Sequence, residues 1–256
     1  MLELVEMRDR ARIEAFLRRD RELHVYEIGD LDPFFWPATT WWAAVRGDAI
    51  AALALLYRGP AIPTLLVLER RDVEAAAWLA SRLSPQLPDP LYSHLSPGLA
   101  HAFGDRPREA QGTYLKMTLR QLAPVDTADV ERLGALDRTA IDAFYARAYP
   151  DNWFDPRMLE TGEYFGVRDG DTLIGVAGVH VVSAQHGVAA LGNIATHPEH
   201  RGCGIARRTT AAVCSSLLRR VDTISLNVSA ENAAAIRCYR ALGFDIAATY
   251  EEWRFR

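Results

Sequence analysis

The sequence predicts an α/β protein of the α+β kind, laid out as two similar halves, and three observations predict it. Apolar runs broken by Gly-Asp turns read as β-hairpins. Strand-like runs lead into helical stretches with an amphipathic period. The order of these pieces in residues 1–120 returns in residues 125–256, which marks an internal duplication of about 120 residues.

The first half opens with a helix over 8–20 that turns Ile13, Phe16 and Leu17 inward. A hairpin follows in WWAAVRGDAIAALAL (41–55), then a strand in TLLVL (64–68), a helix in DVEAAAWLASRL (72–83), and strands in LYSHL (91–95) and YLKMTLR (114–120). Pro124, in the segment QLAPVDTADV (121–130), interrupts the chain, and Asp126 or Thr127 is placed to cap the next helix. That helix is expected over 128–148, with Leu133, Leu136, Ala140, Phe144 and Ala148 on one stripe. The second hairpin is YFGVRDGDTLIGVAGV (164–179), followed by the strand ALGNIAT (190–196), the helix after Gly204, the strand TISLNV (223–228), a helix over 231–241 and the strand YEEWRFR (250–256).

The 256 residues are 49% hydrophobic and 24% charged, which suits one large or two small globular domains. A net charge of -4 argues against a nucleic-acid or anionic-membrane partner. The first twenty residues mix charges of both signs, unlike a secretory signal, and no run reaches the roughly 20 apolar residues of a membrane span. Cys203, Cys214 and Cys238 show neither CxxC nor Cys/His ligand spacing, so no structural metal is expected, and a reduced, cytoplasmic setting is. His197 and His200 lack a third ligand in sequence.

The chemistry concentrates in GNIATHPEHRGCGIARRTTAAVCSSLL (192–218). Gly202 and Gly204 fall where the chain turns from strand end to helix start. The first N–H groups of a helix beginning near Ile205 join those of the glycine loop as an anion site suited to a diphosphate, with Arg201, Arg207 and Arg208 around it. A P-loop is excluded, because Lys116 is the only lysine of the chain, and a dinucleotide fingerprint lacks its third glycine, position 207 being Arg.

Arg201, Gly204 and Ala206 satisfy Arg/Gln-x-x-Gly-x-Gly/Ala, and downstream comes LNVSAENAAAIRCYRALGF (226–244) with Asn232, 26 residues after Ala206, Tyr239 and Gly243-Phe244. In these two motifs the chain resembles the GNAT superfamily, the Gcn5-related N-acetyltransferases, over residues 125–256. The resemblance implies two GNAT-like halves, each a mixed, mostly antiparallel twisted sheet flanked by helices, with a degenerate first domain (1–120) and an acyl-CoA-binding second domain (125–256). It implies acetyl-CoA as co-substrate, with pantetheine along Asn193, Ile194, Ala195 and Thr196. The pyrophosphate would lie on the N–H groups of Arg201, Gly202, Cys203, Gly204, Ile205 and Ala206, with Arg207 beside them. Asn232 is then a cofactor contact, or the cap of its helix. Tyr239 is the general acid for the leaving thiolate, or a core aromatic. Gly243 ends the helix and Phe244 enters the core.

The strand before the loop carries no carboxylate, so Asn193 is a candidate for positioning a water, and Glu160, Glu163, His180 or an acid of the first half are candidates for the base. The first half has no glycine in VLERRDVEAAAW and carries Glu69 at the turn, so no cofactor is expected there. DLDPFFWPATTWW (30–42) and YPDNWFDPRM (149–158) either line an acceptor pocket or pack. The expected activity is acyl transfer to a small-molecule amine by a monomer or homodimer, with O-acylation or a longer donor as variants and a non-catalytic acyl-CoA-binding module as the alternative.

Overall fold

In a computed structural model, residues 1–59 and 62–256 are described. The chain divides into two compact units. The first comprises Met1–Lys116, Ser229–Glu231 and Ala247–Arg256, and the second Met117–Val228 and Asn232–Ile246. A single cut at 121–124 therefore does not reproduce the division, since the last ten residues belong to the first unit.

Unit 1 runs β1 (Glu3–Glu6), α1 (Arg10–Leu17), the short α2 (Val25–Gly29), β2 (Thr39–Arg46), β3 (Ala49–Tyr57), β4 (Thr64–Val67), α3 (Val73–Leu83), β5 (Leu91–Leu95) and most of β6 (Arg108–Leu119). Strands β1 to β4 pair antiparallel in sequence order, and β4 and β5 pair parallel. The sheet continues antiparallel into the end of β12 (Phe244–Phe255), with Leu95 opposite Glu251 and Leu91 opposite Phe255. α1 buries Ile13, Phe16 and Leu17, as its spacing predicts. α3 lays Ala75, Ala76, Leu79, Ala80 and Leu83 against Leu56, Leu65, Val67, Leu91 and Leu95. Small residues on that helix face let it approach the sheet closely, and each fully buried leucine contributes roughly 1.5–3 kcal/mol.

Unit 2 repeats the order with β7 (Glu131–Leu133), α4 (Arg138–Ala148), β8 (Tyr164–Asp169), β9 (Thr172–Ser183), β10 (Val188–Thr196), α5 (Ile205–Leu217), β11 (Thr223–Ser229) and α6 (Ala233–Leu242). β7 to β10 pair antiparallel in order, and β10 and β11 parallel. Within each unit the strands thus pair in a mixed, mostly antiparallel arrangement, and both hairpins form at their Gly-Asp turns.

The expected helix over 128–148 is corrected at its start. Residues 131–133 form β7, and the helix begins only at Arg138. Leu136 is fully exposed, and the inward stripe is Ile141, Phe144 and Tyr145. Gly134 separates the two elements in an extended conformation, where a helix interior would have cost about 1 kcal/mol relative to alanine. At the far end of the unit, Gly243 closes α6 with φ of 99° and Phe244 is buried, as expected.

Within unit 1 the single lysine, Lys116, is 1% exposed, with its Nζ 4.7 Å from the centroid of Tyr26 and 5.2 Å from that of Tyr250. Burial lowers its pKa, and the nearby Glu27 and Glu252 oppose that shift. Burial works against the charge of Glu27 too, but His24, whose Nδ1 lies 3.0 Å from Oε1, together with Lys116, holds its carboxyl below the usual range. Lys116→Met is expected to leave two buried acids without their shared counter-charge. It should destabilise the protein by about 3 kcal/mol, read as a lowered midpoint in denaturant unfolding.

Candidate functional site

The site of unit 2 follows from where two strands stop pairing. β10 and β11 keep parallel register from Val188 opposite Thr223 to Leu191 opposite Leu226, after which no pairs are recorded although both strands continue. On its other side β10 is irregular twice. Ala190 faces Val181 but Leu191 faces Val179, which makes His180 an extra residue on β9. Gly192 faces Gly178 and Ala195 faces Val176, which leaves Asn193 and Ile194 as the bulge of β10. Asn193 is the one non-glycine residue with positive φ (54°) among the described residues. Backbone from Asn193 to Thr196 therefore lies free of the β11 ladder.

Two buried side-chain atoms at this opening, Thr196 Oγ1 and Asn227 Oδ1, have no hydrogen-bond partner. Buried polar atoms in native structures are nearly always satisfied, so a polar ligand in the opening fits them. Asn227 was missed in the sequence; an amide inside the apolar TISLNV was its signal.

Beyond Thr196, a 3-10 turn at Pro198–His200 leads into the loop. Gly202 and Gly204 take φ of 81° and 73°, the left-handed region that favours glycine. α5 starts at Ile205 with no side-chain cap and no acid in its first turn. Its leading N–H groups thus remain for an external anion. Arg201 and Arg207 are exposed beside them. Arg208 is committed elsewhere, contrary to the expectation that it serves the anion: Nε lies 3.1 Å from the Asp129 carboxylate, and Nη1 donates to the Cys203 carbonyl at 2.9 Å. It braces the loop. Cys203 is exposed within the loop.

Asn232 caps α6, its Oδ1 accepting from the Ala235 N–H at 3.1 Å. Tyr239, on the same helix, is 7% exposed with its ring 6.1 Å from Phe244. Burial raises its pKa, and Cys238 and Tyr149 add to the shift, so the phenol stays protonated at neutral pH. Among the base candidates, Glu163 is fixed by Arg220 at 2.9 Å and Arg132 at 3.8 Å, with Arg220 just past the C-terminal end of α5, a helix length of about 20 Å from the loop. Glu160 is exposed. His180 packs on Gly192, where a Cβ would sit 1.9 Å from its ring, and burial lowers its pKa to about 4, so the imidazole is neutral. The His197 and His200 rings are 5.7 Å apart, and no three of His, Cys, Asp and Glu gather as a metal site among the described residues. Of the aromatic stretches, Trp36 stacks on the buried Trp41 in unit 1, and Phe154 packs between Tyr145 and Tyr164 in unit 2. Tyr149 and Trp153 remain 38% exposed.

The equivalent place in unit 1 is closed. β4 and β5 stay paired to Val67 opposite Leu95, and the Ser96 N–H continues the ladder to the Val67 carbonyl at 3.1 Å. Ser96 Oγ accepts from the Glu69 N–H (2.7 Å) and donates to the Glu69 carbonyl (2.8 Å). The Glu69 carboxylate accepts from the N–H groups of Arg70 (2.9 Å), Arg71 (2.6 Å) and Asp72 (3.4 Å), and Asp72 caps α3. A resident carboxylate thus fills the nest.

A splayed parallel pair thus feeds a glycine loop and an uncapped helix start. The Acetyltransferase (GNAT) family model matches residues 131–244. A mycothiol acetyltransferase of Tsukamurella paurometabola is 34% identical over 97 residues, 36% of this chain and 33% of that protein. The chain thus spans about a third of the curated relatives it matches. Two solved structures share the fold over nearly the whole chain. A tandem GNAT protein from the clavulanic acid biosynthesis pathway has TM-score 0.60 and 18% identity, covering 99% of this chain and 98% of that one. A GCN5-related N-acetyltransferase from Sphaerobacter thermophilus has TM-score 0.61 and 15% identity, covering 98% and 95%.

Replacing Asn232 by Ala should remove the α6 cap and cost about 1 kcal/mol, whereas Asp at this position should keep it; thermal unfolding of the two variants checks this.

Proposed function

We propose that the protein is an acyl-CoA-dependent N-acyltransferase that transfers acetyl from acetyl-CoA to a primary amine of a small molecule by direct attack in a ternary complex. The observation that carries this reading is the opening between β10 and β11 with its two orphaned polar atoms, leading to an uncapped helix start. Acetyl as the transferred group is supported by the mycothiol acetyltransferases among the relatives. Unit 1 is read as the degenerate half of a tandem pair, and the setting as cytoplasmic; no helix among the described residues is long and apolar enough to cross a membrane.

Bound acetyl-CoA supplies a thioester whose carbonyl carbon takes the amine and whose thiolate leaves. The backbone of Asn193, Ile194, Ala195 and Thr196 offers the pantetheine amides the partners that β11 does not occupy. The N–H groups from Arg201 to Ala206 hold the pyrophosphate, with Arg207 adding positive charge. Asn232 orders the start of α6, and Tyr239 on that helix gives its phenolic proton to the departing sulfur. A phenol held protonated by burial suits that task, because sulfur gains charge only as the bond breaks.

The alternative is a non-catalytic acyl-CoA-binding module, favoured by the absence of a carboxylate on β10 and by the locked Glu163. Release of free thiol from acetyl-CoA on adding amines tests the two. Tyr239→Phe should lower kcat roughly tenfold to a hundredfold, with acetyl-CoA affinity within about twofold of the native protein. Tight CoA binding with no thiol release across a broad amine panel favours the module. Tyr239 has its pKa raised above 10 and donates only when protonated, so its loss of function on the alkaline side falls above pH 10; a pH-rate profile should show no limb from this group below that.

A further inference from the structure

We propose that unit 1 carries an anion site of its own, an arginine-lined cleft that takes a small hydroxylated phosphate monoester. The cleft lies outside the closed nest before α3, and it does not depend on the reading of unit 2 as an acyltransferase.

The cleft has a volume of about 340 Å³, inside the range of about 300–1,000 Å³ usual for small-molecule sites. Arg19, Arg46, Arg71 and Asp72 line it, together with Ile50 and Ala51 of β3. The two repeats differ here in a way that leaves it open. In each unit the strand after the Gly-Asp turn carries one extra residue. Ala51 falls between Ile50, opposite Val45, and Ala52, opposite Ala44; Ile174 falls between Leu173, opposite Arg168, and Gly175, opposite Val167. In unit 2 Ile174 packs with Val130, Val167 and Ile205, the first residue of α5. A Cβ at Gly175 would lie 2.1 Å from Ile205 Cγ2, so that side chain sits directly against the strand. In unit 1 the extra residue is an alanine, and Val73, the first residue of α3, is 48% exposed. The place that two isoleucines fill in one unit is left to guanidiniums in the other.

These guanidiniums have donors to spare. Each arginine presents five N–H groups. Among the described residues, Arg46 uses Nη1 on Asp72 at 3.3 Å, and Arg71 uses Nη2 on the Arg19 carbonyl at 2.7 Å. Arg19 stands 4.0 Å over the Phe16 ring, with Nη2 3.6 Å from the Glu69 carboxylate. By contrast Arg168, in the matching hairpin of unit 2, is held by both Glu131 and Asp137. The Glu69 carboxylate is already taken by the N–H groups of Arg70, Arg71 and Asp72. Three guanidiniums against the two acids Asp72 and Glu69 leave one positive charge in excess. Guanidinium forks with free N–H pairs match the geometry of a phosphate group.

The one carboxylate in the lining sets the rest of the ligand. Asp72 Oδ1 accepts from the Ala75 N–H at 3.0 Å and Oδ2 from Arg46, which leaves lone pairs on both oxygens. A carboxylate repels bare phosphate but accepts from hydroxyl groups. The cleft also exceeds what a phosphate group fills, at roughly ten times the share of one water in the liquid. Arginines for the phosphate, an aspartate for hydroxyls and Ile50 with Ala51 against the carbon skeleton together select a phosphorylated polyol over inorganic phosphate.

Calorimetric titration of the full chain with ribose 5-phosphate, methyl phosphate and inorganic phosphate tests the site. Ribose 5-phosphate should bind one to one with Kd below about 1 mM, more tightly than the other two. Its affinity should fall as NaCl is raised. Arg46→Gln and Arg71→Gln should each weaken it about tenfold, at an unchanged unfolding temperature. Asp72→Asn, which keeps a cap on α3, should bring ribose 5-phosphate and methyl phosphate to similar affinity. Ala51→Ile, which rebuilds the filling of unit 2, should block binding; where that variant fails to fold, the arginine variants decide. No saturable binding of ribose 5-phosphate overturns the proposal, and so does binding that survives both arginine variants. Binding that CoA displaces and Arg46→Gln leaves intact places the phosphate on the glycine loop of unit 2, which overturns it as well. Thiol release from acetyl-CoA should be the same in all four variants as in the native protein, so failure of this site and failure of the acyltransferase reading are distinguished.

Discussion

The constraint on which the site depends is that a backbone amide taken out of one ladder needs another partner. In unit 2 the β10–β11 pairing ends at Leu191 opposite Leu226, and the bulge at Asn193 and Ile194 removes a second set of pairs on the β9 side. A strand released on both sides does not keep its shape by itself. Its conformation is imposed instead by its surroundings: Tyr145 Oη donates to the Asn193 carbonyl at 2.6 Å, Asn193 Nδ2 donates to Tyr164 Oη at 3.0 Å, and Gly178 and Gly192 leave room for the Tyr164 and His180 rings. The released amides are then ordered and available together, which is the condition for binding a chain-like ligand along a strand.

Unit 1 meets the same constraint with its own atoms. Its parallel pair continues to the strand ends, Ser96 bridges the N–H and carbonyl of Glu69, and the Glu69 carboxylate takes the three N–H groups that precede α3. Both helix starts favour negative charge. At α3 the charge is built into the chain as Glu69 and the capping Asp72; at α5 the first turn holds no acid, and Asp129 pairs with Arg208 outside the nest. The two units thus share an order of elements and differ in whether an acid of the chain occupies the helix start. One residue choice in unit 1, a glutamate where unit 2 has a glycine loop, accounts for much of that difference.

What could be read in the sequence was local. The hairpins are specified by Gly-Asp turns, and the glycine loop by the need for positive φ at Gly202 and Gly204, so both were legible. β7 was not, because three residues become a strand only through pairing with β8, and the apolar spacing around Leu133 and Leu136 imitates a helix. The partner of β12 was equally hidden, since pairing with β5 joins residues more than 150 positions apart. Tyr145 and Tyr164 sit on apolar stripes like any core aromatic, and their hydrogen bonds to Asn193 emerge only once α4, β8 and β10 converge on it. Asn232 carried two readings at the outset, and its cap to Ala235 is the one now in atomic detail, although a cap oxygen leaves the amide nitrogen of the same side chain for other work.

The distribution of titratable groups points to how the proposed reaction divides its demands. No carboxylate lies on β10, and Glu163 cannot leave Arg132 and Arg220 without stranding a buried charge. The neutral His180 has its pKa lowered to about 4, well below that of an alkylammonium, so it is a poor acceptor for an ammonium proton. By contrast, in the proposed reaction the departing sulfur has a protonated phenol in Tyr239. On this reading the protein acts on the leaving sulfur and does little for the amine beyond placing it. Attack is then by an amine already neutral when it reaches the carbonyl, and discrimination among acceptors falls to whatever holds the amine beside the bulge rather than to a base.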